Sequence, residues 1–409
     1  MKIIVVGAGV IGVTTAWYLT ANGHEVTVIE RHDEVAQETS FGNAGGICPG
    51  FAGPWAAPGI PLKALGWMFQ SQAPLKFRPQ ADLRQWIWLA QFLRNCTAGR
   101  FAANKTRMQR MAHYSKACLI ALRDETGISY DQGTNGVLQI FASPSDIEAG
   151  ARSAAVLKDL GIQHKLVSAD EVRQIEPGLV TSSVALTGGL HLPTDEVGDC
   201  HLFCKALAPL ATERGCQFLM GRSVSAIVPS DGRVSGVLTL QDGLIESDAV
   251  VVATGPQAPA LLKPLGIGLP VYPVKGYSMT CEITEPDIAP QSSVMDEHSK
   301  VMITRLGNRL RAAGVAELAG FDRRIRPATL DHLRARVEAL FPGAANYAGA
   351  SFWHGFRPMT PDGVARIGRT GYGNLYLNTG HGSNGWTQAC GAARVLADII
   401  DDSTPEIEF

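Results

Sequence analysis

The chain has 409 residues, 45% of them hydrophobic and 18% charged, with a formal net charge of −2. That length supports more than one domain with a sizeable core, and the balanced charge excludes a general attraction for nucleic acid or acidic membrane. No apolar run reaches membrane-spanning length, so the default expectation is a cytosolic protein. Its eight cysteines are scattered; only Cys200 and Cys204 are close, without a second pair to complete a metal site. They read as reduced core residues, and no metal is expected.

The chain opens on an apolar β-branched run, residues 2–6, of strand length. Gly7, Gly9 and Gly12 follow at the spacing G-x-G-x-x-G. A helix is expected over 13–22 with Gly23 as its stop, then a strand over 25–29 ending in Glu30. Strand, glycine turn, helix, strand and acid together are the dinucleotide fingerprint in the context that gives it meaning. Gly7 permits the tight turn, Gly9 lets a pyrophosphate approach, and Gly12 lets helix and strand pack. The helix N-terminus turns free N–H groups to the phosphates. Lys2 before an apolar stretch imitates a secretory signal, but that reading leaves the glycine spacing and Glu30 as coincidence. A carboxylate at position 30 disfavours a 2′-phosphate. A second glycine-rich turn, 38–46, comes too soon for a plain nicotinamide dehydrogenase; it suits a longer cofactor such as FAD, the bland alternative being an ordinary loop.

Residues 49–82 are rich in Pro, Gly and aromatics, Trp55, Trp67, Phe69 and Phe77 among them; prolines at that density exclude one long helix. Helices are expected over 81–95 and 101–126. The basic residues Arg94, Arg100, Lys105, Arg107, Arg110 and Lys116 read first as a solvated helix face, with anionic lipid or RNA as the functional alternative. Strands at 136–141 and 163–167 flank a helix near 145–160, and Ser168 to Glu171 reads as a capping box. A strand over 188–193 precedes a helix over 195–214. Strands at 217–220 and 223–228 follow, then a hairpin around Asp242-Gly243. The buried run 248–255 returns the chain to the nucleotide sheet. Antiparallel strands are expected over 275–283, 293–304 and 309–316, and a helix over 329–341. The segment 353–363 reads as turn-rich. A strand at 375–378, a glycine loop at 380–386 and a helix over 387–400 present a second helix N-terminus to a negative group.

These motifs resemble the D-amino-acid oxidase class of flavoproteins, and its dehydrogenase branch in particular. The carriers are GAGVIGVTTAWYL near the start, ETSFGNAGG from Glu38, PWAAPGIPLKAL from Pro54, GGLHLPTDEVGDC from Gly188 and VKGYSMT from Val274. AAGVAELAGFD from Ala312, FRPMTPDG from Phe356 and GHGSNGWTQACG from Gly380 complete them. The resemblance implies an α/β plus α+β protein: a Rossmann-like FAD domain of the glutathione-reductase type and an antiparallel-sheet substrate domain. Both are expected to be discontinuous, 1–52, 193–265 and 355–409 for FAD, 53–192 and 266–354 for substrate.

It further implies FAD held by Gly7, Gly9, Val10, Ile11, Gly12, Glu30, Arg31, Ser40, Asn43, Ala44 and Val224, with Ala253, Thr254 and Gly255 beside them. Gly45, Gly46 and the run Gly382, Ser383, Asn384, Gly385, Trp386, Thr387 would lie near the isoalloxazine. Arg357 would grip a substrate carboxylate with its two-donor fork, and Tyr277 would add a second donor. The implied reaction is oxidation of a D-amino acid to its imine by hydride transfer to flavin N5, then hydrolysis to a 2-oxo acid and ammonia. Electrons would pass to an acceptor of the quinone type. The face around 55–110 is the part able to approach the inner face of the cell membrane. His354 and Asn384 depart from the family pattern and put polar groups near the pocket, which points to a hydroxylated D-proline as a refinement. Residues 350–362 contain no cysteine, so the FAD is expected to be non-covalent. The rival readings are a glycine- or sarcosine-type amine oxidase using oxygen, an RNA-modifying module, and a non-catalytic flavin-binding protein.

Overall fold

The computed structural model describes residues 1–67, 74–159 and 161–409; Phe69 of the aromatic-rich stretch and residue 160 at an expected helix end lie outside them. Elements are numbered along the chain. The first sheet has the order β19-β20-β13-β1-β2-β9. Its strands are β1 (Lys2–Val6), β2 (Glu25–Ile29), β9 (Gln217–Leu219), β13 (Ala249–Val252), β19 (Arg366–Arg369) and β20 (Leu375–Thr379). All pairs are parallel except β19 with β20. Ile3 and Val5 pack against α1 (Val10–Ala21), α7 (Cys200–Glu213) and α10 (Gly385–Ile400), together with Cys200 and Cys204. Ile4 and Val6 pack the other way, against α8 (Ala258–Leu262) and the antiparallel ribbon β10 (Val224–Ser230), β11 (Arg233–Thr239), β12 (Gly243–Glu246). Burial on both faces explains why the run 3–6 is wholly apolar.

Among the described residues the second sheet has nine strands. Its path is β18 (Ser351–Met359), β14 (Tyr272–Glu282), β17 (Arg309–Leu318), β16 (Val301–Leu306), β15 (Ser293–Asp296), β5 (Val137–Phe141), β7 (Gly188–Leu192) and β6 (Lys165–Val167), with β4 (Leu75–Phe77) also paired to β17. One face packs Met279, Ile303 and Ala312 against α9 (Pro327–Leu340). The other face looks toward the first sheet. A short pair, β3 (Gly46–Ile47) and β8 (Glu196–Val197), links the two layers. The excursion after β3 holds α2 (Ile60–Trp67), α3 (Leu83–Asn95) and α4 (Ala98–Thr126). The helices α5 (Pro144–Asp159) and α6 (Ala169–Ile175) accompany β5 to β7, and Ser168 with Glu171 forms the expected capping box.

Three expectations change. The segment 293–304 is a hairpin, not one strand, because Asp296 accepts from His298 N at 3.2 Å and Lys300 turns the chain at φ 55°. The helix expected from 195 starts at 200, where Asp199 caps it by accepting from His201 N at 2.9 Å. The turn-rich segment near 353–363 begins with a nine-residue strand. Pro358 is tolerated because β18 is a sheet edge and Pro358 faces Pro273, so neither strand lacks a partner for a donor it does not have. The domain boundary expected after 354 therefore falls inside β18.

Burial pushes the Glu176 carboxyl from 4.5 up to about 7, although Gln291 N donates to it at 2.8 Å. A raised folded-state value means the folded protein holds this proton more tightly, so stability falls as pH rises from about 4.5 through about 7. Glu176→Gln is expected to gain on the order of 2–3 kcal/mol over wild type at pH 8 and little at pH 5. Urea midpoints at the two pH values check this; an equal difference at both would contradict it.

Candidate active site

A continuous cavity of about 1060 Å³ lies between the two sheets. Its first end is built by the glycine turn. A Cβ on Gly12 would sit 1.8 Å from the Gly7 carbonyl oxygen, and one on Gly7 2.9 Å from Ala253 O. A Cβ on Gly9 would meet only Ser40 Oγ, at 3.5 Å. Gly7 and Gly12 thus serve packing, whereas Gly9 faces open space. Gly9, the residue before α1, has no side chain to cap it, and Ser40 takes only the first amide, Val10 N, so among the described residues the Ile11 and Gly12 amides remain available to phosphate. Glu30 accepts from Ala8 N at 2.8 Å and His32 N at 3.0 Å, which orients the carboxylate and leaves lone pairs for ribose hydroxyls. Val10, Ile11, Arg31, Val224, Ala253, Thr254 and Gly255 line the same end.

The loop after β2 is held from both sides. Ser40 Oγ accepts from Val10 N at 3.0 Å, and Asn43 Oδ1 accepts from Gly45 N at 2.8 Å. Ala44 and Gly46 line the cavity; Gly45 and Gly12 do not. Instead a Cβ on Gly45 would meet Leu306 and Gly198 O at 3.1 and 3.3 Å. Residues Gly382 to Thr387 line the far side, and α10 starts without a side-chain cap. The Trp386 indole is turned into the core, donating to Gly198 O at 3.1 Å, so this stretch offers backbone amides. Free first-turn amides at α1 and α10, an open glycine cradle and an oriented carboxylate fit FAD.

Arg357 stands at another part of the cavity wall. It lines the cavity beside Trp55, whose ring centroid is 5.9 Å away. A Cβ on Gly276 would lie 2.4 Å from its Nη1, so only glycine lets the guanidinium lie across β14. Its one hydrogen bond among the described residues goes to Val315 O, at 3.2 Å. Val315 sits at a bulge, with φ 54°, a costly conformation for a β-branched residue. Burial pushes the guanidinium down to about 10, which leaves it charged at neutral pH. Among the described residues no carboxylate pairs with it, and a buried cation without a partner is costly.

Tyr277 borders the cavity and His354 does not, and the side chains of both are placed differently from that of Arg357. They are opposite one another in the β14–β18 register, whereas Arg357 is opposite Val274. With a strand period of two, Tyr277 and His354 share the sheet face turned away from Arg357. The Tyr277 hydroxyl donates to Glu317 at 3.0 Å, and Glu317 is bound also by Lys275 at 2.8 Å. That proton is therefore committed elsewhere. His354 Nε2 is buried without a hydrogen-bond partner among the described residues, and burial pushes its imidazole down. Of the two departures from the family pattern, only Asn384 reaches the cavity.

Other residues were not anticipated. His381 lines the cavity, is 2% exposed, and has no partner on either ring nitrogen among the described residues. Burial pushes it down to about 3, so it is neutral. Its place inside the glycine loop was the available signal. Arg311 holds the cofactor loop, donating to Phe41 O and Asn43 O at 3.3 Å each, and pairs with Asp199 at 3.4 Å. Nothing local in the sequence announces that contact.

Apart from Gly12 and Gly45, the residues expected for FAD border one cavity with Arg357, between a parallel and a mostly antiparallel sheet. The family model for FAD-dependent oxidoreductases of the DAO type matches residues 2–399, and the chain belongs to this family. It is 50% identical over 408 residues to the D-amino acid dehydrogenase of Agrobacterium fabrum, covering 100% of this chain and 97% of that one. It is 52% identical over 411 residues to the protein of that name from Rhizorhabdus wittichii, covering 100% and 98%. The fold matches glycine oxidase from Geobacillus kaustophilus with a TM-score of 0.76 at 21% identity, covering 100% and 96% of the chains. It matches L-proline dehydrogenase from P. horikoshii with 0.74 at 20% identity, covering 99% and 94%. Among the described residues no helix is long and apolar enough to cross a membrane.

Proposed function

We propose that the cavity binds FAD non-covalently and oxidises free D-amino acids to 2-oxo acids and ammonia, passing the electrons to a quinone. The observation that carries this reading is Arg357, a half-buried charged fork facing the cavity with no carboxylate paired to it among the described residues. The curated relatives support the choice of D-amino acid. When bound, FAD supplies a two-electron acceptor for the hydrogen on the substrate's α-carbon.

The chain's own residues bind and orient. Arg357 takes the carboxylate in two parallel charge-assisted bonds, which fixes the α-carbon relative to the cofactor side of the cavity. Trp55 and Gly276 border the guanidinium and limit its motion. The uncapped start of α10 favours negative charge on whatever group lies against it. No acid or base is required if the amine binds neutral. His381 stays neutral and thus adds no competing charge beside the amine. Asn384 in the cavity wall favours substrates with a polar side chain, a hydroxylated D-proline among them.

Non-covalent binding is supported by the lack of cysteine in 350–362 and by Cys48, which lines the cavity but whose thiol burial pushes up, away from the nucleophilic thiolate. The FAD unit is read as 1–52, 193–265 and 355–409 and the substrate unit as 53–192 and 266–354, the step from 354 to 355 lying within β18. For membrane contact, the support is that Leu62, Leu83, Trp86, Ile87 and Leu93 are exposed on α2 and α3, beside Arg84 and Arg94.

The test is anaerobic. D-amino acids are expected to bleach the bound flavin and L-amino acids to leave it oxidised; acid precipitation is expected to release intact FAD into the supernatant. Flavin that remains with the precipitate would overturn non-covalent binding. Bleaching by no D-amino acid would overturn the substrate. Hydrogen peroxide formed as fast as a dye is reduced would place the protein among the oxidases instead.

A further inference from the structure

The cavity continues past the cofactor loop into an arm that the amino acid does not use. Its floor is a row across the larger sheet. Met302, Met295, Gln139 and Leu190 stand directly opposite one another on β16, β15, β5 and β7. Opposed residues project to the same face, and all four line the cavity. Phe51, Leu157 on α5 and Leu192 add apolar walls. The near end meets the cofactor loop at Gly46, where an added Cβ would lie 2.5 Å from Met302 Cε. At the far end Gln139 donates to Glu297, which also pairs with Lys300. Leu166, opposite Leu190 on the edge strand β6, is 47% exposed.

Distance separates this arm from the amino acid. From β18, which carries Arg357, to β7 the path crosses six strand intervals. At about 4.8 Å each that is about 29 Å to the far end, and about 14 Å over the three intervals to Met302 on β16 at the near end. The side chain of a free amino acid reaches only about 7 Å beyond its Cα, at about 1.5 Å per bond. Chemistry separates them too. The row offers methionine, leucine and one amide, and the lysine at the lip is already paired. Such a slot selects an uncharged, apolar molecule over a zwitterion.

We propose that this arm is the docking site of the electron acceptor, a flat uncharged molecule of the quinone class that approaches the flavin past Gly46. The proposal rests on the FAD-dependent reading of the same cavity. Two electrons and two protons leave the two-electron-reduced flavin and reduce the quinone to its hydroquinone, restoring oxidised flavin. The amino acid, and the imine it becomes on giving up these two electrons, occupy only the Arg357 end.

Ser153, on α5, lines the arm and takes no part in the site described above. Binding of a decyl-substituted benzoquinone to oxidised holoenzyme, by equilibrium dialysis, is compared between wild type and Ser153→Trp. The Kd is expected to rise at least about tenfold as the indole fills the slot. Anaerobic flavin reduction by D-amino acids is expected to stay within about twofold of wild type. Unchanged quinone affinity overturns the proposal. So does slowed flavin reduction by bulky D-amino acids with quinone affinity intact, which would give the arm to the amino acid side chain. Because the variant can fail to fold, an azido-benzoquinone is also photolysed on wild-type holoenzyme. Label on α5 or β7 supports the arm; label confined to the Trp55 and Arg357 end, or no saturable label, overturns it. Quinone binding is read without any amino acid, so its failure is distinct from a failure of the amino acid reading, which shows as unbleached flavin.

Discussion

Arg357→Ala is expected to lose at least about a hundredfold in kcat/KM for D-amino acids while retaining FAD. A substrate carboxylate entering this cavity must be paired, since an unpaired buried charge costs several kcal/mol. Charge-assisted bonds from one arginine contribute about 1.5–3 kcal/mol, more when desolvated, and each 1.4 kcal/mol is about tenfold. Arg357→Lys is expected to recover only part, because a point charge lacks the planar fork. Two other arginines do not substitute for it. Arg311 is held by Asp199 and two carbonyls of the cofactor loop. Arg305 is spent on the carbonyls of Gly307 and Pro286 at the surface. Tyr277→Phe serves as the contrast. Its hydroxyl serves Glu317 on the opposite face, so the loss is expected in stability, about 1 kcal/mol, with KM unmoved. Steady-state kinetics beside flavin content decide it. An Arg357→Ala enzyme within about threefold of wild type would make Arg357 structural and remove the main physical support for an amino acid substrate.

Gly12→Val is expected to abolish FAD binding, with affinity down at least about a hundredfold and folding weakened by about 1–3 kcal/mol or more. The Cβ alone would lie 1.8 Å from Gly7 O and 2.9 Å from Gly7 C. Both are backbone atoms of the turn itself, so no side-chain rotation relieves the overlap. The helix α1 must lift from β1, and its uncapped amides then leave the phosphate position. Gly23→Ala is the control. It lies at positive φ, 84°, and among the described residues nothing is within 4 Å of its Cβ. It is expected to keep FAD and lose only about 1–2 kcal/mol. Fluorescence titration of the apoproteins with FAD separates the two, and equal affinity for both variants would reject the packing role of Gly12.

The nucleotide half of the molecule was legible because its signals are local. A β-branched run, a glycine spacing, a helix and an acid lie within thirty residues, and each constrains its neighbours. The edge strand β18 was less legible. Its Gly355 and Pro358 are turn residues by composition, and only the facing Pro273 and the free edge make a strand acceptable there. The break at 297–300 was missed for a similar reason: the sequence is polar at Asp296 to Lys300, but a hydrophobic count averages over it.

By itself the sequence determined the glycine turn with its acid and the α/β plus α+β class, and put Arg357 forward as the candidate for a carboxylate. What it left open was on which side of a sheet each residue stands. Tyr277, His354 and Arg357 lie in strands that pair, yet a single step in register sends a side chain to the opposite face. Here the register brings Val274 to Arg357, and so turns Tyr277 and His354 toward the α9 side. Likewise, Gly276 beneath the guanidinium, the Val315 bulge and the Arg311 clamp on the cofactor loop join residues up to 270 positions apart. Contacts at that separation are set by how strands from distant parts of the chain align, and no local propensity encodes them.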